Sequence, residues 1–286
     1  MVKKALIVLV AGVVVGGGAV LLVYHWQQGL QPVPVKVSST VADLLQPKPK
    51  PETPKPNGPI PNPDETKPNE EVPVQPEPKP EETIPSETTI SIPSKFLIEG
   101  VPFTAQAPTR NWELPFQEAC EEASVLMVNR FYTKRALPDD PAEIDKIITD
   151  MATWGEENMD GKIDTDAKTS ARYFTEYLEY DPKRVNVVYD MSIDDIKAVI
   201  ASGKPVIVPA AGRDLGNEHF QNPGPIYHML VIVGYDSDEF IVNDPGTRFG
   251  QGYRYDQHVL FDAIHDLTPD KENIRQGRKA MIVVGP

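Results

Sequence analysis

A proline-rich stretch near the N-terminus sets the main limit on what this chain can fold into. Seventeen of the 30 prolines lie between residues 31 and 95. Proline fixes the backbone φ angle and removes an amide donor, and this stretch also has few large apolar side chains. It predicts a disordered linker over residues 31–95, largely in the polyproline II conformation, with a reach on the order of 100 Å. One folded domain is therefore expected, over residues 96–286.

Residues 1–30 have a different character. Lys3 and Lys4 precede an uncharged run over residues 5–24, which has the length of a helix that crosses the hydrocarbon layer of a membrane. Tyr24 and Trp26 lie where interfacial aromatic side chains belong. The run predicts a single-pass membrane anchor, with the N-terminus in the cytoplasm and the rest of the chain outside. A cleaved signal peptide is the alternative, but the run is long for one and no clear cleavage site follows it.

Composition argues against several classes of partner and cofactor. The formal net charge is −14, whereas nucleic-acid binding needs clustered Lys and Arg, so no nucleic-acid partner is expected. Cys120 is the only cysteine, which rules out an intramolecular disulfide and a zinc site built from several thiolates. The acidic residues near Asp160 lack the full pattern of a calcium loop and are interpreted as a turn. No metal or cofactor is expected, and the domain is expected to be a monomer.

Apolar spacing predicts the order of secondary structure in the folded part. Helices are predicted from Cys120 to about Thr133, after an N-cap at Asp140, from Asp166 to about Tyr180, from Ser192 to Ala201 and from Asp256 to Ile264. Strands are predicted over residues 96–103, 185–189, 205–209, 228–235, 240–243 and 279–284. Most helices come first and antiparallel strands last, which is typical of an α+β fold.

Cys120 lies where the first of these helices begins. A thiol in the first helical turn meets unpaired backbone N–H groups and the positive end of the helix dipole, and both favour the thiolate. The neighbouring acids Glu121 and Glu122 act against this unless their side chains turn outward into water. A single cysteine is also commonly a small buried apolar residue. The residues around Cys120 therefore leave a reactive and a structural interpretation open.

A histidine and an acid later in the chain favour the reactive interpretation. His228 opens a predicted strand, and Asp244 follows the strand predicted to pair with it. A thiol, an imidazole that takes its proton and an acid that orients the ring are what nucleophilic thiol catalysis requires. Each has an ordinary alternative, since His228 could simply end a strand and Asp244 could start a turn. His219, in the preceding glycine-rich loop, is a second candidate base.

Three segments together resemble the C39-like cysteine peptidases of bacteria. They are VPF-x-x-Q, which ends at Gln106, the helix that starts at Cys120, and the pair YHMLVIVGYD and VNDPG around His228 and Asp244. The resemblance implies a papain-like fold over residues 96–286, with N-terminal helices packed on a C-terminal antiparallel sheet. It also implies that Cys120 is the nucleophile, His228 the general base and acid, Asp244 the orienting acid, and Gln106 an oxyanion-hole donor beside the Cys120 backbone N–H.

Two features depart from the pattern of that family. Many relatives have glycine directly after the cysteine, where this chain has Glu121. The gap between Gln106 and Cys120 is also wider than in papain-like enzymes generally. The second departure bears most on Gln106, for which Gln117 is the alternative.

The resemblance and the predicted anchor together predict a membrane-tethered cysteine peptidase outside the cytoplasm, at the bacterial cell surface. It would hydrolyse a peptide or protein substrate through an acyl-thioester on Cys120. Two alternatives stay open: an amidase or endopeptidase that acts on cell-wall peptides with the same fold, and a surface-displayed binding module without turnover.

Overall fold

The computed structural model describes residues 32–46 and 87–285. The predicted membrane span over residues 5–24 lies outside these ranges, and so does the predicted linker between residues 47 and 86. Within the two described ranges, no helix is both long enough and apolar enough to cross a membrane.

The described residues form strands and helices in a mixed order along the chain. The strands are β1 Pro32–Val37, β2 Thr88–Pro93, β3 Phe96–Leu97, β4 Val185–Tyr189, β5 Val206–Ala211, β6 Tyr227–Tyr235, β7 Glu239–Asn243, β8 Gln251–Asp256 and β9 Ala280–Val284. The helices are α1 Ser39–Leu45, α2 Cys120–Thr133, α3 Pro141–Asn158, α4 Ala167–Ser170, α5 Ile193–Ala201 and α6 Gln257–Ala263. Turns of 3-10 helix lie at Phe116–Glu118, Pro182–Arg184, Gly212–Leu215 and Lys271–Gln276.

A seven-stranded sheet forms the centre of the domain. Its strand order is β4, β9, β5, β6, β7, β8, with β3 paired to the far end of β6, and neighbouring strands run antiparallel. Every residue of β6 is buried, because its continuous apolar run lies between β5 and β7. Helices α2 and α5 both pack against β6. The mixed helix and sheet fold predicted from the sequence is confirmed.

The helices that surround the site begin where local chemistry predicts. Asp140 caps α3 by accepting a hydrogen bond from the Ala142 N–H, with proline at the first helical position. Ser192 and Asp195 form a reciprocal capping box at the start of α5. Helix α2 differs, because its N-cap is Ala119 and no side chain caps it. Its first N–H groups are therefore not satisfied by a capping side chain.

The predicted linker boundaries were wrong at both ends. β1 pairs with β2, and this two-stranded sheet and α1 pack on α5. Val35 and Val37 point inward, whereas Pro32 and Pro34 are exposed on a strand with a single neighbour, where a missing amide donor is tolerated. Ser38 holds the two-stranded sheet and α1 on α5, because its backbone N–H donates to Asp195 Oδ1 of α5 over 2.7 Å. Residues 32–37 were predicted as linker because of their prolines, although apolar side chains alternate along β1.

Two predicted elements differ in extent from those observed, and one strand was not predicted. The strand predicted over residues 96–103 is limited to Phe96–Leu97. The helix predicted from Asp166 to Tyr180 is α4 followed by a single π-helical turn, Tyr173–Tyr177. Strand β8 was missed because the glycines around its start favour a turn, and Gly252 does adopt a positive φ of 64°.

Candidate active site

His228 and Asp244 form a buried pair at one end of the central strands. His228 is the second residue of β6, and Asp244 directly follows β7. The two strands are paired, and Asn243, the last residue of β7, lies opposite Val231 of β6. His228 Nε2 lies 2.7 Å from Asp244 Oδ1. Both side chains are almost fully excluded from solvent. The strand pairing therefore brings together two residues that the sequence separates by sixteen positions.

Further donors surround the carboxylate of Asp244. The Gly246 N–H donates to Oδ1 over 2.9 Å, and the Tyr255 hydroxyl donates to Oδ2 over 2.7 Å. Asn217 Nδ2 lies 3.3 Å from the same Oδ2. Burial by itself raises the pKa of Asp244, but the nearby His228 and these hydrogen bonds lower it below its ordinary value. The carboxylate is therefore held in its charged form and fixes the ring of His228.

Two glycines leave room for the imidazole. A Cβ atom added at Gly246 would lie 2.9 Å from His228 Cε1 and 2.8 Å from the ring of Phe220. A Cβ added at Gly212 would lie 3.1 Å from His228 Cβ. The Phe220 ring meets the imidazole edge to face at a centroid distance of 5.3 Å. Since the backbone at Gly246 approaches the ring this closely, a side chain there would displace the imidazole, whereas a side chain at Gly212 would first meet Pro225.

Cys120 is the first residue of α2, as predicted, and is buried. Ser124, one turn later on the same helical face, donates its hydroxyl to the Met229 carbonyl over 3.3 Å. Met229 directly follows His228 in β6. The face of α2 that carries Cys120 is thus turned toward the start of β6. Among the described residues, however, the thiol makes no hydrogen bond to the imidazole.

The thiol is bonded to its neighbour Glu121 instead. Cys120 Sγ lies 3.0 Å from Glu121 Oε2, and Glu121 Oε1 accepts a hydrogen bond of 2.8 Å from the Thr165 N–H. Thr165 is held in turn by Tyr227, whose hydroxyl donates to the Thr165 carbonyl over 2.7 Å. These contacts fix the glutamate side chain inside the domain, where only 1% of its surface is exposed.

This arrangement contradicts the expectation that the helix end would favour a thiolate. That expectation required Glu121 and Glu122 to turn outward, and both are buried. Burial raises the pKa of Cys120 well above its ordinary value, and the charge and hydrogen bond of Glu121 raise it further. The surroundings of Cys120 therefore favour the thiol over the thiolate.

The two glutamates beside the thiol are themselves unfavourable places for charge. Burial, followed by the charges of Glu122 and Asp164, raises the pKa of Glu121 well above its usual range. Burial raises the pKa of Glu122 to about 7, although the Tyr173 hydroxyl donates a hydrogen bond to its Oε1. Glu122 Oε2 is buried and has no hydrogen-bond partner among the described residues.

Gln106 lies between the two halves of the site but does not present the predicted oxyanion donor. Its Nε2 donates to the carbonyls of Phe116 and Gln117, at 2.9 Å each, so both amide hydrogens are engaged. Its backbone N–H donates to the Pro245 carbonyl over 2.9 Å. Gln106 therefore ties the turn after Asp244 to the turn before Cys120. The alternative, Gln117, is exposed and supplies its backbone carbonyl to Gln106.

Other residues have smaller or unpredicted roles. His219, the second candidate base, packs on Phe249 at a centroid distance of 4.7 Å and has Glu218 3.6 Å from its Nε2. Sequence reasoning missed Tyr255 and Asn217 as partners of Asp244. Tyr255 belongs to the strand that was missed, and no motif marks either residue.

The chain is similar to a known protein family and to a solved structure. The model of the Peptidase C39-like family matches residues 98–264, more than half of the chain. A crystal structure described as a candidate C39-like peptidase from Bacillus anthracis is 18% identical, with a TM-score of 0.44. That match covers 67% of this chain and 98% of the other. No curated protein sequence matches.

Proposed function

The chain belongs to the Peptidase C39-like family, and on that basis we propose that it is a cysteine peptidase that uses Cys120, His228 and Asp244. The observation that carries the proposal is the buried contact of 2.7 Å between His228 and Asp244, at the end of β6 toward which Cys120 is turned. The family match includes all three residues. An imidazole held by a charged acid is the base that a thiol nucleophile needs.

The chemical steps follow from which nitrogen of the His228 ring is not engaged by Asp244. Asp244 engages His228 Nε2, so Nδ1 is the nitrogen available to take the Cys120 proton. The thiolate attacks the peptide carbonyl carbon, and the C–N bond breaks as the imidazolium protonates the leaving amine. Water, deprotonated by the same imidazole, then hydrolyses the acyl-thioester and returns the thiol.

Turnover requires the thiol to leave Glu121. In the state described here the Cys120 proton is directed toward Glu121 Oε2. Rotation of the Cys120 side chain away from this carboxylate would bring the sulfur toward the start of β6, because Ser124 on the same face already contacts Met229. We therefore regard the described state as a resting form of the site.

Protein cleavage by matched variants tests the proposal. Purified protein should degrade unfolded casein, and Cys120→Ser and His228→Ala should each abolish the cleavage. His258 lies exposed on α6, so His258→Ala serves as a matched control that retains activity. A His228→Ala protein as active as the wild type would refute the triad. An inactive wild-type protein would argue against the peptidase assignment.

The contact between the buried Cys120 thiol and Glu121 favours a second candidate, a binding module without turnover. Burial and the adjacent Glu121 hold the thiol in its protonated form, which a module that has lost catalysis would tolerate. Iodoacetamide separates the two, because Cys120 is the only possible site of cysteine alkylation. If a bound peptide accelerates alkylation at pH 7, the peptidase is supported. If alkylation occurs only at alkaline pH, with or without peptide, the module is supported.

We further propose that the domain is tethered outside the cytoplasmic membrane. The support is the sequence alone: the uncharged run over residues 5–24 after Lys3 and Lys4. Externally added protease should digest the domain on intact cells, whereas a cytoplasmic domain would be protected.

A further inference from the structure

A cavity of about 260 Å³ lies beside the start of α2. Ala119 and Glu122 line it from α2, Ala152 and Glu156 line it from α3, and Leu114 and Ile163 line it from the adjoining loops. Ligand pockets for drug-sized molecules range from about 300 to 1,000 Å³. This cavity therefore suits a single side chain better than a whole small-molecule ligand.

The cavity is next to the thiol but on a different face of the helix. Ala119 directly precedes Cys120, and Glu122 is three residues after Ala119, so these two share the face turned toward α3. Cys120 shares its face with Ser124, which is turned toward β6. A peptide whose backbone passes the start of α2 could thus place one side chain in the cavity while a nearby peptide bond meets the thiol.

The charges around the cavity are mostly negative. Three glutamates and one lysine line it: Glu118, Glu122, Glu156 and Lys162. Glu118 is compensated by Lys271, at 3.6 Å. Lys162 is exposed, so its long side chain can reach water. Glu122 and Glu156 have no ion pair within residues 32–46 and 87–285.

Glu122 carries the strongest indication of a missing partner. Only 4% of its surface is exposed, and within the described part of the chain its Oε2 accepts no hydrogen bond. An unsatisfied buried carboxylate oxygen is unfavourable unless a donor reaches it. Two exposed apolar side chains lie at the same cavity, Leu114 at 58% exposure and Ile163 at 47%. Apolar walls with a carboxylate are suited to an aliphatic stem that ends in a cation.

We propose that this cavity is a specificity pocket for a basic side chain of the peptide substrate, of the lysine or arginine type. The aliphatic stem contacts Leu114 and Ile163, and the cationic end donates to Glu122 with Glu156 nearby. This inference rests on the proposed peptidase function, because the substrate side chain is identified by the position of the cavity beside Cys120.

Paired peptides test the inference. In a scanned peptide set, each position carries either lysine or norleucine, which has the same aliphatic stem without the charge. At one fixed position relative to the cleaved bond, lysine should raise kcat/KM about tenfold or more over norleucine. Glu122→Gln and Glu156→Gln should each reduce this ratio several-fold. Glu157→Gln is the matched control, because Glu157 is a neighbour on α3 that does not line the cavity.

The outcomes separate this inference from the proposed function. Peptide cleavage with equal rates for lysine and norleucine at every position would overturn the pocket and leave the peptidase intact. A Glu157→Gln variant that loses the preference as fully as Glu122→Gln would overturn it as well. If no peptide is cleaved, calorimetry with the Cys120→Ser protein decides. Tighter binding of lysine peptides that is lost in Cys120→Ser with Glu122→Gln would support the pocket alone, and equal binding would overturn both.

Discussion

Two buried acidic regions lie on either side of the candidate active site, and their carboxylates behave in opposite ways. Asp244 has an imidazole, a hydroxyl and a backbone N–H as partners, and its pKa is lowered despite burial. Glu121 and Glu122 are buried as completely, yet their pKa values are raised. Glu121 and Glu122 each accept a hydrogen bond, but burial and the charge of Asp164 outweigh it. Asp244 instead has a histidine as its partner.

In the proposed mechanism, the two halves of the site therefore differ. The proposed base, His228, is oriented by a charged acid, whereas burial and then the adjacent Glu121 raise the pKa of the proposed nucleophile, Cys120. A cationic substrate group at Glu122 would change the second half, because its positive charge would compensate the charge of Glu122 and so reduce the repulsion that a thiolate at Cys120 meets. Substrate binding and activation of the thiol would then be coupled.

Removing the charge of Asp244 should have the largest effect on activity. Asp244→Asn keeps the side-chain shape but removes the carboxylate that orients His228 and stabilises its protonated form. Peptidase activity should fall by about 10³ to 10⁴-fold. Initial rates on casein would measure this, with thermal unfolding to verify the fold. Asp139→Asn is the control, since Asp139 is exposed; comparable activity in the two variants would contradict the role of Asp244.

The raised pKa of Glu122 should appear as a pH dependence of stability. Below its ordinary pKa of 4.5 the group is neutral in both states. Between pH 4.5 and about 7 the unfolded state loses the proton while the folded state keeps it, so stability falls as pH rises. The full difference is about 3 kcal/mol at most. Glu122→Gln removes this term, so its free energy of unfolding in urea should change less between pH 4.5 and 7.5.

The control for this measurement is Glu157→Gln, which removes an exposed charge from the neighbouring helix α3. Its pH dependence should follow that of the wild type. Parallel curves for wild type and Glu122→Gln would mean that Glu122 is solvated in solution, and the contrast between the two regions would then be lost.

Changing Glu121 should bring the thiol closer to the reactive form. Glu121→Gln removes the adjacent charge, and the amide can donate to Cys120 Sγ where the carboxylate accepted from it. The pKa of Cys120 should fall, with alkylation at pH 7 faster by roughly tenfold for each pKa unit. Iodoacetamide rates followed by mass spectrometry would measure this. Glu143→Gln, at an exposed position of α3, should alkylate at the wild-type rate, and an unchanged rate for Glu121→Gln would exclude the hydrogen bond as a cause.

Sequence reasoning predicted the elements around the site better than its electrostatics. Helix α2 begins at Cys120, and His228 and Asp244 meet across β6 and β7 because a continuous apolar run followed by a short strand and a turn allows little else. The direction of the Glu121 side chain could not be predicted. It depends on Thr165, 44 residues away, whose N–H offers the carboxylate a partner inside the domain.

The predicted start of the folded domain at residue 96 was wrong for a related reason. Val35 and Val37 of β1 are buried only because β2 and α5 lie beside them. Proline content describes the average character of residues 31–95, whereas pairing between residues 32–37 and 88–93 depends on contacts across the intervening segment. Local composition cannot report such contacts.

The smallest expected effect concerns Tyr255, which donates a hydrogen bond to Asp244. Tyr255→Phe removes the hydroxyl that donates to Asp244 Oδ2 and accepts from Asn217 Nδ2 over 2.7 Å. Stability should fall by about 1 to 2 kcal/mol, and activity by less than tenfold because His228 and the Gly246 N–H still hold Oδ1. Tyr253→Phe is the matched control two residues away, since its hydroxyl bonds to exposed Glu218 instead. Equal stability losses in the two variants, measured by urea unfolding, would show that Asp244 does not depend on the Tyr255 hydroxyl. His228, the Gly246 N–H and Asn217 would then be the groups that hold this carboxylate.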